Sequence, residues 1–336
     1  KFEKLFKDYL KGGYPVAVSN GTTALQLGMS ALGIKKNDEV LVPNFTFAAS
    51  INSIINCGAK PVLIDIDQKT WTIDLNKLKK SITKFTKAIM PVHVYGQPCK
   101  MDEILKIAKE NDLLVIEDCA EAIGAKYKDR IIGNDGDCSC FSFFANKTVT
   151  TGEGGMVVFK EQAAAKRARI LRDHGMSSTK SFWHEYAGFN FRMTNMQAAI
   201  GVSQMERIND FLQSRKKIFD KYNSEFKKIS CVDLMPSNNW SENSYWLYTL
   251  TIKDFGEKRR DILLNKLINR GIECRPAFYP INIMKPYKKF ANGKYNVSKY
   301  ISENSISLPS SSTLNEAEQK YIINTFLEEL NNIIKN

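Results

Sequence analysis

Histidine is scarce in this chain. Its three residues, His93, His174 and His184, are scattered without metal-ligand spacing. Seven cysteines (57, 99, 119, 138, 140, 231 and 274) form no CxxC pair. Only Cys138 and Cys140 are close, and on a strand they point the same way, so reduced, mostly buried thiols and no metal are expected. No apolar run reaches the roughly 20 residues that cross a bilayer. The opening KFEKLFKDYL is an amphipathic charged stretch rather than a signal peptide, so a cytoplasmic protein with no membrane contact is expected. Neither a GxGxxG fingerprint nor a P-loop is present, which disfavours an NAD enzyme. Internal repeats and low-complexity tracts are missing too, and with them solenoids and long linkers.

What is present is ordinary globular material. The 336 residues are 43% hydrophobic and 25% charged, with 19 Gly and 10 Pro, enough chain for two domains. Lys and Arg outnumber Asp and Glu by 48 to 36, a net charge of +12. That balance admits a nucleic acid, an anionic surface or a small acidic ligand. The basic residues are spread along the chain, which reads as solvated helix faces. A DNA-binding regulator would need a helix-turn-helix module, and none is recognisable, so no nucleic-acid partner is expected.

From about residue 15 to 158, short β-branched or apolar runs alternate with helical patterns. The expected strands are 16–18, 39–42, 61–64, 88–92, 113–116, 139–143 and 156–159, with helices at 22–32, 48–57, 75–82 and 101–110 between them. This alternation predicts an α/β fold with a mostly parallel sheet covered on both faces, its ligands at the strand C-terminal ends. Helices are expected at 162–172 and 195–228, the second broken near Phe211. A loop at 237–244, a strand at 246–252 and helices at 261–270 and 316–332 then suggest a smaller α+β unit. The boundary is placed near residue 205, giving domains of 1–205 and 206–336.

Three segments carry chemistry. In Ser19-Asn20-Gly21-Thr22-Thr23, a glycine and hydroxyls open a helix, which suits a phosphate but equally an ordinary N-cap. Leu113 to Asp118 ends a buried strand in two carboxylates, where Asp118 either holds a cation or caps the next helix. Ser142 to Gly155 sets Lys147 among apolar and small residues, where a desolvated amine loses pKa and can condense with a carbonyl, although a plain surface lysine has the same local sequence. Together they form the set pyridoxal 5'-phosphate (PLP) needs: phosphate donors, an Asp for the pyridine nitrogen and a Lys for the aldehyde.

The motifs SNGTTAL, VPNFTFAAS, PVHVYGQPCKMDEI, VIEDCAEAIGA, FSFFANKTVTTGEGGMV, GFNFRMTNMQAAIGVSQMERI and RPAFYPI resemble the DegT/DnrJ/StrS sugar aminotransferase family over nearly the whole chain. The resemblance implies a fold type I PLP-transferase with a seven-stranded sheet. It implies Lys147 as the Schiff-base lysine and Asp118 as the pyridinium partner. Thr22, Thr23 and Ser142 match phosphate ligands, and Asn190 matches an Asn that reaches the phosphate from the neighbouring subunit of a homodimer. Phe47 matches the ring stacked on the cofactor, with Phe45 its rival. Glu121 stands where many relatives place Gln near the cofactor's phenolic oxygen, a departure shared by the perosamine-type branch. His93, Arg275 and Tyr279 match stretches that border the sugar nucleotide.

That branch implies L-glutamate as donor and GDP-4-keto-6-deoxymannose, aminated at C4, as acceptor, for O-antigen or another surface polysaccharide. A UDP- or dTDP-linked keto sugar, with C4 or C3 amination, is the alternative. A PLP-dependent sugar dehydratase would carry His in place of Lys147. Family members also carry some tens of residues ahead of the position of Phe2, so a further N-terminal piece is expected before Lys1.

Overall fold

The computed structural model describes residues 1–335. The seven apolar runs pair into one sheet: β1 (Tyr14–Val18), β2 (Glu39–Pro43), β3 (Lys60–Ile64), β4 (Thr86–Ile89), β5 (Leu114–Asp118), β6 (Cys138–Ser142) and β7 (Gly155–Phe159). Their order is β1-β7-β6-β5-β4-β2-β3. Only β7 runs against its neighbours; β2 to β6 pair in parallel. Both faces are covered. Along β7, Met156 and Val158 enter one apolar cluster, while Val157 and Phe159 enter the other. Burial on both faces is why these strands read as continuous apolar runs rather than alternating ones.

Helices α1 (Phe2–Leu10), α2 (Gly21–Ala31), α3 (Ala48–Asn56), α4 (Leu75–Lys80), α5 (Met101–Glu110) and α6 (Gln162–Arg172) connect or cover these strands. The expected long helix is two, α7 (Asn195–Met205) and α8 (Ile208–Phe226), broken at Glu206-Arg207 rather than near Phe211.

A second, antiparallel sheet of β8 (Val232–Asp233), β9 (Tyr248–Ile252), β10 (Arg275–Pro276) and β11 (Ser305–Leu308) has the order β8-β9-β11-β10. Its core joins Phe219 and Phe226 of α8, Leu263 and Leu267 of α9 (Gly256–Asn269), and Phe326 and Leu330 of α11 (Glu316–Lys335). Four elements here went unread in the sequence: β8, β10, α10 (Asn296–Asn304) and β11. Ser305 and Ser307 make β11 look polar, yet their hydroxyls pair with Thr251 and Thr249 of β9 inside the sheet.

Between β10 and α10 the chain crosses back to the first sheet. Ile281, Tyr287 and Tyr295 join its core, and Asn44 and Asn282 exchange two hydrogen bonds of 2.8 and 2.9 Å. Among the described residues no helix is long and apolar enough to cross a membrane.

Candidate functional site

The parallel strand ends converge on the start of α2. Asn20 caps that helix: its side chain accepts from the Thr23 N–H, and the Thr23 hydroxyl accepts from the Asn20 N–H. The capping box therefore takes up Thr23. Thr22 remains half-buried, and the N–H groups of Gly21 and Thr22 have no hydrogen-bond partner among the described residues. Ser142 ends β6 alongside: a Cβ on Gly21 would stand 2.8 Å from the Ser142 Cβ, and one on Gly155 would meet the Asn20 carbonyl at 2.3 Å. Glycine at both positions lets the helix start approach the strand end closely. Free N–H groups, the positive helix end and a serine hydroxyl make an anion cradle.

Asp118, the last residue of β5, is buried. One carboxylate oxygen accepts from the Ser50 hydroxyl at 2.7 Å and the other from the Ala120 N–H at 3.1 Å. Burial pushes its pKa up against these two bonds and the pull of Lys147. Glu121 is buried too, accepts from the Tyr95 N–H at 2.6 Å, and is pushed up to about 7, chiefly by burial. Lys147 faces both carboxylates. Desolvation brings its amine down to about 8 even so, with the buried Arg215 adding to the fall. Its Nζ rests 3.4 Å from the centre of the Trp246 ring. An amine that is partly free base near neutral pH, beside two carboxylates, is equipped both to attack a carbonyl and to carry a proton.

The remaining residues expected at the site fall in different places. Phe45 is fully buried against Tyr95 and Phe278, whereas Phe47, at the cap of α3, is 60% exposed with its ring 6.0 Å from Phe278. Of the two rivals, Phe47 has a ring face to offer. Asn190 is exposed, one residue before Phe191, whose carbonyl accepts from the Ser19 N–H. Tyr279 is half-exposed beside Arg260, and Arg275 is exposed and paired with Glu273 at 2.6 Å.

His93 needs correction. It is fully buried; Nδ1 accepts from the Cys99 N–H at 3.0 Å, so the proton sits on Nε2, 3.2 Å from Glu117. No ring nitrogen is left for a substrate, and the residue instead supports the strand end from behind. Glu117 in turn accepts from the Asp135 and Gly136 N–H groups and the Ser139 hydroxyl. Ligand atoms of His93, Glu117 and Cys119 lie within 4.8 Å of one another, but those of the first two are occupied by these bonds.

Two functional neighbours escaped the sequence reading. Trp246 lies under the lysine amine, and Arg215 ties Trp246 in place by donating to its carbonyl at 2.7 Å. Trp246 looked only like the start of an alternating strand and Arg215 like one of many helix cations, so no local signal marked either. A groove of about 1040 Å³ between α8 and the start of α11 does not have Lys147 in its lining.

The site fits PLP. Beside Lys147, the buried Asn146 Oδ1 and Thr148 Oγ1 have no hydrogen-bond partner, and the unpaired N–H groups of Gly21 and Thr22 suit a phosphate.

A family model described as the DegT/DnrJ/EryC1/StrS aminotransferase family matches residues 1–327. The chain is 42% identical over 324 residues to the GDP-perosamine synthase of Caulobacter vibrioides, covering 96% of this chain and 87% of the relative. It is 40% identical over 328 residues to the GDP-perosamine synthase of Escherichia coli O157:H7, covering 98% and 89%. A candidate sugar aminotransferase of Streptococcus pneumoniae, solved in its PLP form, superposes with a TM-score of 0.94 at 29% identity, covering 99% of this chain and 91% of that one. The same protein is also solved in its pyridoxamine phosphate form. With the family model running through residues 1–327 and relatives at 40% identity or more along nearly the whole chain, the chain is a PLP-dependent sugar aminotransferase and belongs to the DegT/DnrJ/EryC1/StrS aminotransferase family.

Proposed function

We propose that this enzyme moves the amino group of L-glutamate onto C4 of a nucleotide-linked 4-keto-6-deoxy sugar, with GDP-4-keto-6-deoxy-D-mannose the preferred acceptor and GDP-perosamine the product, in the cytoplasm and for a surface polysaccharide. Glutamate leaves as 2-oxoglutarate and the sugar carbonyl becomes an amine-bearing carbon, so the exchange balances without an external oxidant. The observation that carries the substrate assignment is the 42% and 40% identity to GDP-perosamine synthases over nearly the whole chain.

When bound, PLP supplies an electron sink and a carrier for the amino group. Lys147 would hold it through Nζ and, when free, would carry a proton between the substrate carbon and the cofactor's reactive carbon as general base and acid. Asp118 keeps the pyridine nitrogen protonated. The start of α2, with Thr22 and Ser142, would hold the phosphate, joined by Asn190 of a second copy of this chain in a homodimer, while Thr23 stays engaged in the helix cap. Phe47 would lie against the cofactor ring and Glu121 would face its phenolic side. Arg275 and Tyr279 border the sugar nucleotide. Residues 1–205 form the cofactor-binding domain and 206–336 the smaller one, which contributes Trp246 and Arg215 to the lysine.

Purified enzyme supplied with glutamate and GDP-, UDP- or dTDP-linked 4-keto-6-deoxy sugars is expected to aminate the GDP compound fastest, read as 2-oxoglutarate and amino sugar formed. Turnover of a UDP sugar with none of the GDP compound overturns the substrate assignment. Separately, borohydride should fix the cofactor on the Lys147 peptide, and Lys147→Ala should lower activity by about 100-fold or more. Cofactor fixed at another lysine refutes the site.

A further inference from the structure

Lys147 Nζ has no ion pair or hydrogen bond to another residue among the described residues; the contact it makes is with the face of Trp246, 3.4 Å from the ring centre. That ring is held on several sides. Its indole N–H donates at 2.9 Å to the carbonyl of Asn146, the residue before the lysine, so the ring is tied to the backbone that carries the amine. Its other neighbours are Tyr95, stacked at 6.2 Å with the planes 26° apart, and the Arg215 and Ser310 side chains, which grip its backbone carbonyl. Trp246 is 5% exposed. A side chain locked this way, with its π face turned to a lysine, is a preformed cation seat.

The geometry points to Trp246 as a positioning residue: its indole face seats the Lys147 ammonium whenever that amine is not bonded to the cofactor. This rests on the reading of Lys147 as the cofactor lysine. From its displacement in the first half-reaction to the close of the second, the lysine would be free of the cofactor, must stay close, and must give and take a proton. A carboxylate in hydrogen-bond contact would hold the ammonium tightly and charged; an aromatic face attracts it without accepting its proton. The groups that act on the same amine are Glu121 and Asp118, which favour its charge, and Arg215 together with burial, which oppose it. The ring face adds to the first side.

The test uses enzyme converted by glutamate to the pyridoxamine form, in which Lys147 is free. Acetylation of Lys147 by acetic anhydride, followed across pH by peptide mass spectrometry, gives the midpoint of its ionisation. Loss of the ring face in Trp246→Leu should lower that midpoint by about one pH unit. Trp246→Phe, which keeps a weaker π face, should fall between wild type and Trp246→Leu. A more open cleft raises the plateau rate without moving the midpoint, so the two effects separate. An unmoved midpoint in Trp246→Leu overturns the inference, as do equal shifts in the two variants, which would mean lost packing. Should Trp246→Leu not fold, a Trp246→Phe midpoint at or above wild type overturns it alone. Borohydride attachment elsewhere than Lys147 overturns the site itself, whereas correct attachment with an unmoved midpoint removes only Trp246.

Discussion

Asp65 and Asp118 are both buried aspartates at the C-terminal ends of parallel strands in one sheet, Asp65 just past β3 and Asp118 closing β5. Their surroundings send them opposite ways. Asp65 receives the Ile66, Val297 and Ser298 N–H groups, the Ser298 hydroxyl and the Lys77 ammonium. Burial raises its pKa, but these donors outweigh that and hold the carboxyl below its usual range. Asp118 has two donors, and burial wins. The saturated carboxylate stitches α10 and the returning chain to the sheet. The under-supplied one keeps a demand for a cation that a bound cofactor can meet. Carboxylate saturation thus separates Asp65, which ties segments together, from Asp118, which we propose as the cofactor's partner.

The sharpest way to break this contrast is to neutralise each aspartate in turn. Asp118→Asn should cost activity most, about 100- to 1000-fold in kcat/KM, because a neutral amide cannot hold a charged pyridinium. Its stability in urea should move by less than about 1 kcal/mol, since a group whose folded pKa is raised makes folding harder once ionised. A large stability loss with activity retained would reverse the roles.

Asp65→Asn should do the opposite, losing about 1–3 kcal/mol in urea unfolding with kcat changed less than about threefold. The smallest effect is its pH dependence. Because the Asp65 pKa is depressed on folding, its contribution is present above the unfolded value of about 4 and fades as pH falls through the folded one. The stability gap between wild type and Asp65→Asn should therefore be full at pH 7 and narrow below about pH 4. A gap that stays constant across that range would show that ionisation of Asp65 is not what stabilises the corner.

Much of this was legible without coordinates. All seven strands of the large sheet were, because burial on both faces writes them as apolar runs, and so was the α2 cap, because its chemistry is local to Asn20 and Thr23. Lys147, by its own segment no different from a surface lysine, was singled out only in company with the helix start at Ser19–Thr23 and Asp118. What stayed hidden is long-range. Trp246 lies about a hundred residues from the Asn146 carbonyl it binds, and Asn44 meets Asn282 across 238 positions. The burial of His93 was hidden for the same reason: a histidine after an apolar run reads alike whether it faces a cleft or the back of a strand.

By itself, then, the sequence determined the parallel sheet and the helix start beside its strand ends, because periodicity and capping act between neighbours. Only the tertiary structure decided which buried carboxylates are saturated, that Phe47 rather than Phe45 shows its ring, and that an indole just ahead of β9 lies beneath the lysine. Those outcomes depend on how many donors and ring faces distant segments bring to one point, a count no local pattern records.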